Sequence, residues 1–274
     1  MKRAWIASTM VAAVALVPTW LGAQAVRAQQ QGGAAAAPAP AGEPAPRMSD
    51  GRPDLSGVWW TGGDVGGRGF GGGRGRGGRG ARGGGPAPTR FTDLHTPEAA
   101  AAAGTLDDDD DPTLQCIPTA FGTLNVSLFD VGAVGQIIST PEFVVMLTET
   151  FHGFRLVPTD GRPHRDDVPP SYRGDSVGRW EGDAFVVETK NFTDDTWIWA
   201  EGQASPHSDQ LRIVERYRRV NHDTLEIEAT VYDPNVLTGA WTVPKQTLVL
   251  APFDQILPLN CVGLDASLPS GAGP

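Results

Sequence analysis

Two stretches of alternating residues restrict this chain to a β fold more strongly than any other feature of the sequence. In the first, residues 176–189, the dipeptide Gly182-Asp183 is a two-residue turn signal between runs rich in β-forming residues. A turn at that point places Trp180 opposite Phe185, on the face that also holds Gly178. We therefore predict a β-hairpin over residues 176–189.

The second alternating stretch, residues 211–231, predicts a longer hairpin. A three-residue loop at 221–223 sets Arg218 opposite Glu226 on one face. Because side chains alternate between the faces of a strand, the same register collects apolar residues on the other face. These apolar residues are Leu211, Ile213, Tyr217, Leu225, Ile227, Ala229 and Val231. Glu215 shares their face, and an apolar face is an unusual place for a carboxylate.

Further strands and almost no helix are predicted elsewhere. Residues 50–60 read as a turn and a first strand, and runs of strand length follow at 143–147, 154–157 and 241–250. The alanine-rich stretch Pro97–Ala103 is the exception and predicts a helix. About eight or nine strands separated by turn residues predict an all-β fold, either a single antiparallel barrel or a sandwich.

The first residues predict export. Two basic residues precede an apolar stretch over residues 4–21, and small-residue cleavage motifs follow it. This pattern predicts a secretory signal peptide over residues 1–28, with an uncleaved anchor as the alternative. No later segment offers the roughly 18 apolar residues of a membrane span. We therefore expect a periplasmic or secreted protein with no membrane span after signal cleavage.

The rest of the chain divides by composition. A Gln-, Ala- and Pro-rich stretch predicts a disordered linker over residues 29–49, and a Gly/Ser/Pro-rich tail covers 263–274. Between them, residues 50–262 suit a single β domain. A Gly/Arg tract at 62–88 interrupts that domain, and we interpret it as a disordered insertion.

The charge balance bears on possible partners. Residues 91–274 contain 28 of the 32 acidic residues and 11 of the 22 Lys and Arg residues, a net charge of about −17. Such an acidic domain argues against nucleic acid as its partner. The Gly/Arg tract would suggest RNA binding in a nuclear protein, but predicted export makes that interpretation weaker.

The chain has two cysteines, Cys116 and Cys261. In an oxidising compartment, a pair at the two ends of a domain is most simply one disulfide that closes a long loop. Such a bridge would contribute on the order of 4 kcal/mol in the chain-entropy model. Two buried free thiols and a catalytic cysteine are the alternatives, but no histidine motif accompanies either cysteine.

Several strings resemble a large group of exported bacterial proteins that have no established activity. They are DGRPDLSGVW at 50–59, TDGRPH at 159–164, SVGRWEGDAFVVET at 176–189, PHSDQLRIVERYRRV at 206–220 and DTLEIEATVYDP at 223–234. The resemblance covers nearly all of residues 50–262 except the Gly/Arg tract, and it implies export and a single β domain. Gly57-Val58-Trp59 also resembles the Gly-x-Trp of the first lipocalin strand, which would imply a lipocalin-like barrel with a small-molecule cavity.

Glu215 is the first candidate for chemistry. A carboxylate on an apolar face must be paired, hydrogen-bonded or shifted to a higher pKa, because burying it uncompensated costs several kcal/mol. A raised pKa would suit a general acid. The structural alternative is that a buried Arg155 or Tyr172 satisfies it.

Two histidines could act with Glu215. His207 lies in the loop that leads into the Glu215 strand, and Asp209 shares the parity of Glu215. His164 follows the second copy of Asp-Gly-Arg-Pro. If the two loops meet, the histidines and an acid could form an acid–base pair. A metal site is less favoured, because neither histidine has a partner at metal-ligand spacing, so we predict no metal and no cofactor.

Three more residues are candidates for ligand binding besides Asp209. Trp197 and Trp199 alternate in a polar connection, a setting that suits sugar or aromatic ligands. Arg162 belongs to the second Asp-Gly-Arg-Pro turn, beside His164. Because that string also occurs at 50–53, a structural role as a turn tied down by its arginine is the alternative.

Three functions follow from these candidates. The leading prediction is an exported β-barrel protein that binds a small molecule or glycan in or at the end of its barrel. The second is a periplasmic or secreted hydrolase, lyase or isomerase that uses Glu215 and His207, with His164, as acid and base. The third is a structural envelope module without a pocket.

Overall fold

The structure, a computed structural model, describes residues 42–60, 89–120, 134–149 and 153–257. The predicted signal peptide, the Gly/Arg insertion, the tail at 263–274 and most of the linker lie outside the described residues, as does Cys261. The Cys116–Cys261 disulfide therefore stays a prediction.

The described residues form eleven strands and one α-helix. The strands are β1 (Gly57–Trp60), β2 (Val134–Ser139), β3 (Phe143–Thr148), β4 (Phe154–Pro158), β5 (Asp175–Glu181), β6 (Ala184–Lys190), β7 (Trp197–Ala200), β8 (Gln203–Pro206), β9 (Arg212–Asn221), β10 (Thr224–Tyr232) and β11 (Trp241–Leu250). The helix is α1 (Pro97–Ala103), and short 3₁₀ turns span Thr92–Leu94, Asp108–Asp110 and Pro112–Gln115.

Nine of these strands form one antiparallel sheet in the order β4-β3-β2-β1-β11-β10-β9-β6-β5. Its edge strands, β4 and β5, meet where Asp160 and Arg179 form a bridge and the Gly161 amide donates to the Gly178 carbonyl at 2.9 Å. The approach requires glycine, since a Cβ on Gly178 would lie 2.9 Å from the carbonyl oxygen of Pro158. The sheet is thus a nearly closed barrel, which confirms the all-β prediction and selects the barrel over the sandwich.

The first predicted hairpin is confirmed in its register. Strands β5 and β6 pair Trp180 with Phe185, and Gly178 with Val187, around the Gly182-Asp183 turn. Glycine supplies the positive φ of +61° that the turn needs at position 182.

The second hairpin is confirmed with a shorter turn. Arg218 lies opposite Glu226 as predicted, but Asn221 pairs with Thr224, so the turn itself has two residues. A bulge next to Thr224 restores the predicted alternation. The apolar face of the hairpin is buried throughout its length.

The predicted helix is also confirmed. α1 begins after Thr96, whose side-chain oxygen accepts a hydrogen bond from the Ala99 amide, and Pro97 occupies the first turn. None of the helices within the described residues has the length and apolar character that crossing a membrane requires. The small β7–β8 hairpin is not predicted by the sequence, because its four-residue strands are too short to show a clear period.

Two groups of apolar side chains form the interior. The barrel core contains Leu55, Trp59, Ile137, Val144, Met146, Val157, Phe185, Val187, Tyr217, Leu225, Ile227 and Leu248. The end core packs α1 and β7 against one end of the barrel, and it contains Phe91, Ala99, Phe192, Ile198, Ala200, Leu211, Ile213, Ala229, Val231, Val236, Leu237, Trp241 and Val243. On β9, Tyr217 belongs to the barrel core and Ile213 to the end core, so Glu215 lies at the junction of the two.

Candidate functional site

Glu215 is fully buried and doubly hydrogen-bonded. Its Oε2 accepts a hydrogen bond from Arg155 Nη2 at 2.6 Å, and its Oε1 accepts one from the Tyr217 hydroxyl at 2.5 Å. The sequence analysis offered Arg155 or Tyr172 as the structural partner of Glu215. The structure shows Arg155 in that role, and the second donor is Tyr217. Both oxygens of the carboxylate are therefore engaged by donors on the barrel wall.

The Glu215 pair extends into a short buried polar chain. Arg155 Nη2 also donates to Thr189 Oγ1 at 3.2 Å, and that hydroxyl lies 2.9 Å from Ser176 Oγ. Burial is the largest single influence on the pKa of Arg155 and would lower it, but the charges and hydrogen bonds of Glu215 and Tyr217 together raise it. The adjoining cavity has a volume of only about 10 Å³, room for about one water molecule. This arrangement holds a charge pair in place and leaves little space for a substrate.

His207 is buried in a separate environment. Its Nδ1 lies 3.2 Å from the Ser208 carbonyl oxygen, and its ring meets Phe192 edge-on at 6.4 Å between centroids. Burial lowers the pKa of His207, which favours the neutral imidazole. Within the described residues, no hydrogen bond or ion pair joins His207 to Glu215 or to His164.

His164 lies between two carboxylates on the outer surface of the barrel. Its Nδ1 is 2.8 Å from Asp175 Oδ2, and its Nε2 is 3.3 Å from Glu188 Oε1 without forming a hydrogen bond to it. Glu188 also accepts from Arg212 Nη1 at 3.1 Å. The Arg212 guanidinium in turn lies over the Tyr232 ring, 3.9 Å from its centroid. These contacts fasten the loop that carries His164 to the barrel wall.

The three predicted catalytic residues thus occupy three separate environments. Glu215 is paired inside the barrel, His207 packs against the end core, and His164 joins the outer wall. No hydrogen bond or ion pair joins any two of these three residues within the described part of the chain, and their acid–base role stays a prediction.

A groove of about 790 Å³ opens beside the His164 loop, where β6 and β10 end and β9 begins. We call it the end groove. Its lining includes the basic residues Arg165, Lys190 and Arg212, together with Tyr232, Asp209, Gln210, Pro234, Leu237 and Thr238. Its size falls within the usual range for small-molecule sites. Of the predicted ligand-binding residues, Asp209 lines this groove.

The remaining predicted ligand-binding residues lie elsewhere. Trp197 and Trp199 pack beside each other on β7, with ring centroids 6.4 Å apart, and Trp197 is only 9% exposed. Arg162 is exposed and donates to both carboxylate oxygens of Asp160, which lowers the pKa of Asp160 to about 2. That contact is the one expected of an arginine that ties down its own turn.

Lys190, Arg212 and Tyr232 are groove residues that the sequence did not single out. The predicted hairpin register already places Arg212 opposite Tyr232, and this cation–aromatic pair could have identified both residues as candidates. Nothing in the sequence indicated that the loops at 165–168 and 233–240 would line one groove with that pair.

The described residues contain no group of three or more His, Cys, Asp or Glu side chains placed to hold a metal ion. Comparison with known proteins gave no matching family model, no matching curated protein and no matching solved structure. The resemblance to exported bacterial proteins therefore stays a prediction, and the geometry of the site has to carry the functional conclusion.

Proposed function

We propose that this protein is an exported β-barrel protein that binds a saccharide in the end groove. The observation that carries the proposal is the lining of the groove. Tyr232, with Arg212 stacked on it, adjoins side chains that offer both hydrogen-bond donors and acceptors. Sugars combine hydroxyl groups with apolar C–H faces, so a site with aromatic and mixed polar groups suits them.

The groove residues are held in position before any ligand arrives. Arg212 is fixed by Glu188 and by the Tyr232 ring. Asp209 Oδ1 accepts a hydrogen bond from the side-chain Nε2 of Gln210 at 3.1 Å. A site whose polar groups are already oriented loses less conformational entropy on binding.

Binding has more support than catalysis by Glu215, His207 and His164. Arg155 and Tyr217 engage the carboxylate of Glu215, and the cavity beside it has a volume of about 10 Å³. An acid–base pair would need its members within hydrogen-bond reach of one substrate. The third prediction, a module without a pocket, does not account for the end groove.

A glycan screen followed by calorimetry tests the proposal. We expect at least one saccharide to bind, and Tyr232→Ala to weaken that binding about tenfold, since an aromatic contact is worth about 0.5–1.5 kcal/mol beyond its buried area. Asp209→Ala should weaken binding as well. The matched control is Asp254→Ala, which removes an exposed aspartate outside the groove.

Two results would contradict the proposal. One is a screen in which no saccharide binds the folded protein. The other is a saccharide whose affinity is the same for wild type, Tyr232→Ala and Asp209→Ala, because that ligand would bind away from the end groove.

A further inference from the structure

We infer that the end groove selects an acidic saccharide, with the anionic group of the sugar placed over Lys190 and Arg212. This inference rests on the proposed function, because it specifies the class of sugar that the same groove takes. It assigns Lys190 as the residue that determines specificity.

Sheet register places the two cations side by side. Asp175 pairs with Lys190 across β5 and β6, and Arg212 pairs with Tyr232 across β9 and β10. Strands β6 and β9 are last paired at Thr189 and Ile213, so the next residue on each strand brings Lys190 beside Arg212. Thr189 and Ile213 are buried, and side chains alternate, so Lys190 and Arg212 both point outward into the groove.

The two cations differ in how far they are neutralised. Arg212 donates to Glu188 through Nη1, and its guanidinium group lies over the Tyr232 ring. The charge of Arg212 is therefore partly neutralised by Glu188. Lys190 is exposed, and no ion pair joins it to any described residue. Because the two cations lie on adjacent strands, one anionic group of a ligand can contact both of them.

Two of the three acidic residues that line the groove, Asp233 and Asp209, are engaged by neighbouring donors. Asp233 accepts from the Ser208 hydroxyl and amide, both at 2.7 Å, and Asp209 accepts from Gln210. Asp166 is exposed. A carboxylate on the ligand therefore meets a lysine that forms no ion pair within the described residues, and the edge of an arginine, the pairing that guanidinium geometry favours.

The test compares an acidic and a neutral saccharide of the same size. Titration of the full chain with trigalacturonate and with galactotriose should show about tenfold tighter binding of the acidic sugar, the order of one charge-assisted hydrogen bond. Lys190→Gln should remove most of that preference, because it should weaken trigalacturonate binding more than galactotriose binding. The control is Lys245→Gln, because Lys245 is exposed but paired with Glu226 at a distance from the groove.

Salt gives an independent readout. Raising the ionic strength should weaken trigalacturonate binding to wild type and leave galactotriose binding unchanged, since salt screens exposed charges. After Lys190→Gln, the salt dependence of trigalacturonate binding should be smaller.

The outcomes separate the two proposals. Equal affinity for both sugars, or a preference that Lys190→Gln leaves intact, would overturn acidic selection while saccharide binding stands. Failure of both sugars to bind, together with an empty glycan screen, would overturn saccharide binding and the inference with it.

Discussion

Replacing Glu215 by glutamine tests whether the buried pair is a structural element of the barrel. The substitution keeps the shape of the side chain and removes its charge. Arg155 Nη2, 2.6 Å from Glu215 Oε2, would then face an amide instead of a carboxylate. The Tyr217 hydroxyl would lose a charged acceptor as well.

The expected cost follows from the burial of both partners. The side chain of Glu215 is 0% exposed and that of Arg155 is 8% exposed, so water cannot solvate the charge that remains. Breaking such a pair from one side costs about 3–5 kcal/mol, because an uncompensated charge stays buried. Since a domain of this size has a total stability of about 5–15 kcal/mol, Glu215→Gln should be strongly destabilising.

Urea denaturation followed by tryptophan fluorescence measures this cost. The double replacement Arg155→Met with Glu215→Leu should be less destabilising than Glu215→Gln alone, because it removes both charges together. The matched control is Glu226→Gln on the same hairpin. Glu226 also contacts two cations, Arg218 and Lys245, but the pairs are partly exposed and should be worth less than about 1 kcal/mol.

The reasoning would be refuted by a cost below about 1 kcal/mol for Glu215→Gln, the range of a surface ion pair. A double replacement as damaging as the single one would also refute it. That result would mean that packing at the junction of the two cores, and not the charge pair, sets the cost.

Two further predictions concern burial and close packing. Burial lowers the pKa of His207 below its ordinary 6.5, so the unfolded chain takes up a proton there before the folded chain does. The free energy of unfolding should therefore fall as the pH drops below about 6.5. Urea titrations at pH 7 and pH 5 measure this difference, and His207→Leu should make it smaller. The control His222→Leu should leave the difference unchanged. Gly178→Ala should lower stability by about 1–3 kcal/mol in thermal melts, since the new Cβ would lie 2.3 Å from Phe185 Cζ. Gly239→Ala is the control, because a Cβ there meets nothing within 4 Å; equal effects of the two alanines would contradict the packing argument.

The sequence by itself determined the hairpins and the class of fold. Trp180 opposite Phe185 and Arg218 opposite Glu226 could be predicted because a hairpin is local: its turn fixes the register, and the two-residue period shows which face is buried. The same parity identified Glu215 as a carboxylate on the buried face. Local turn chemistry also explains why Arg162 is tied to Asp160.

Tertiary structure decided which distant segments meet. Arg155 and Glu215 are 60 residues apart, and only closure of the barrel brings β4 close enough for the pair to form. The end groove likewise needs the loop after His164 and the segment at 233–240 to come together with the ends of β6, β9 and β10. A period of two reports that a side chain faces inward or outward, but it carries no information about its partner across the barrel. For this reason Lys190 and Tyr232, which line the end groove with Asp209, could not be identified from the sequence as members of one site.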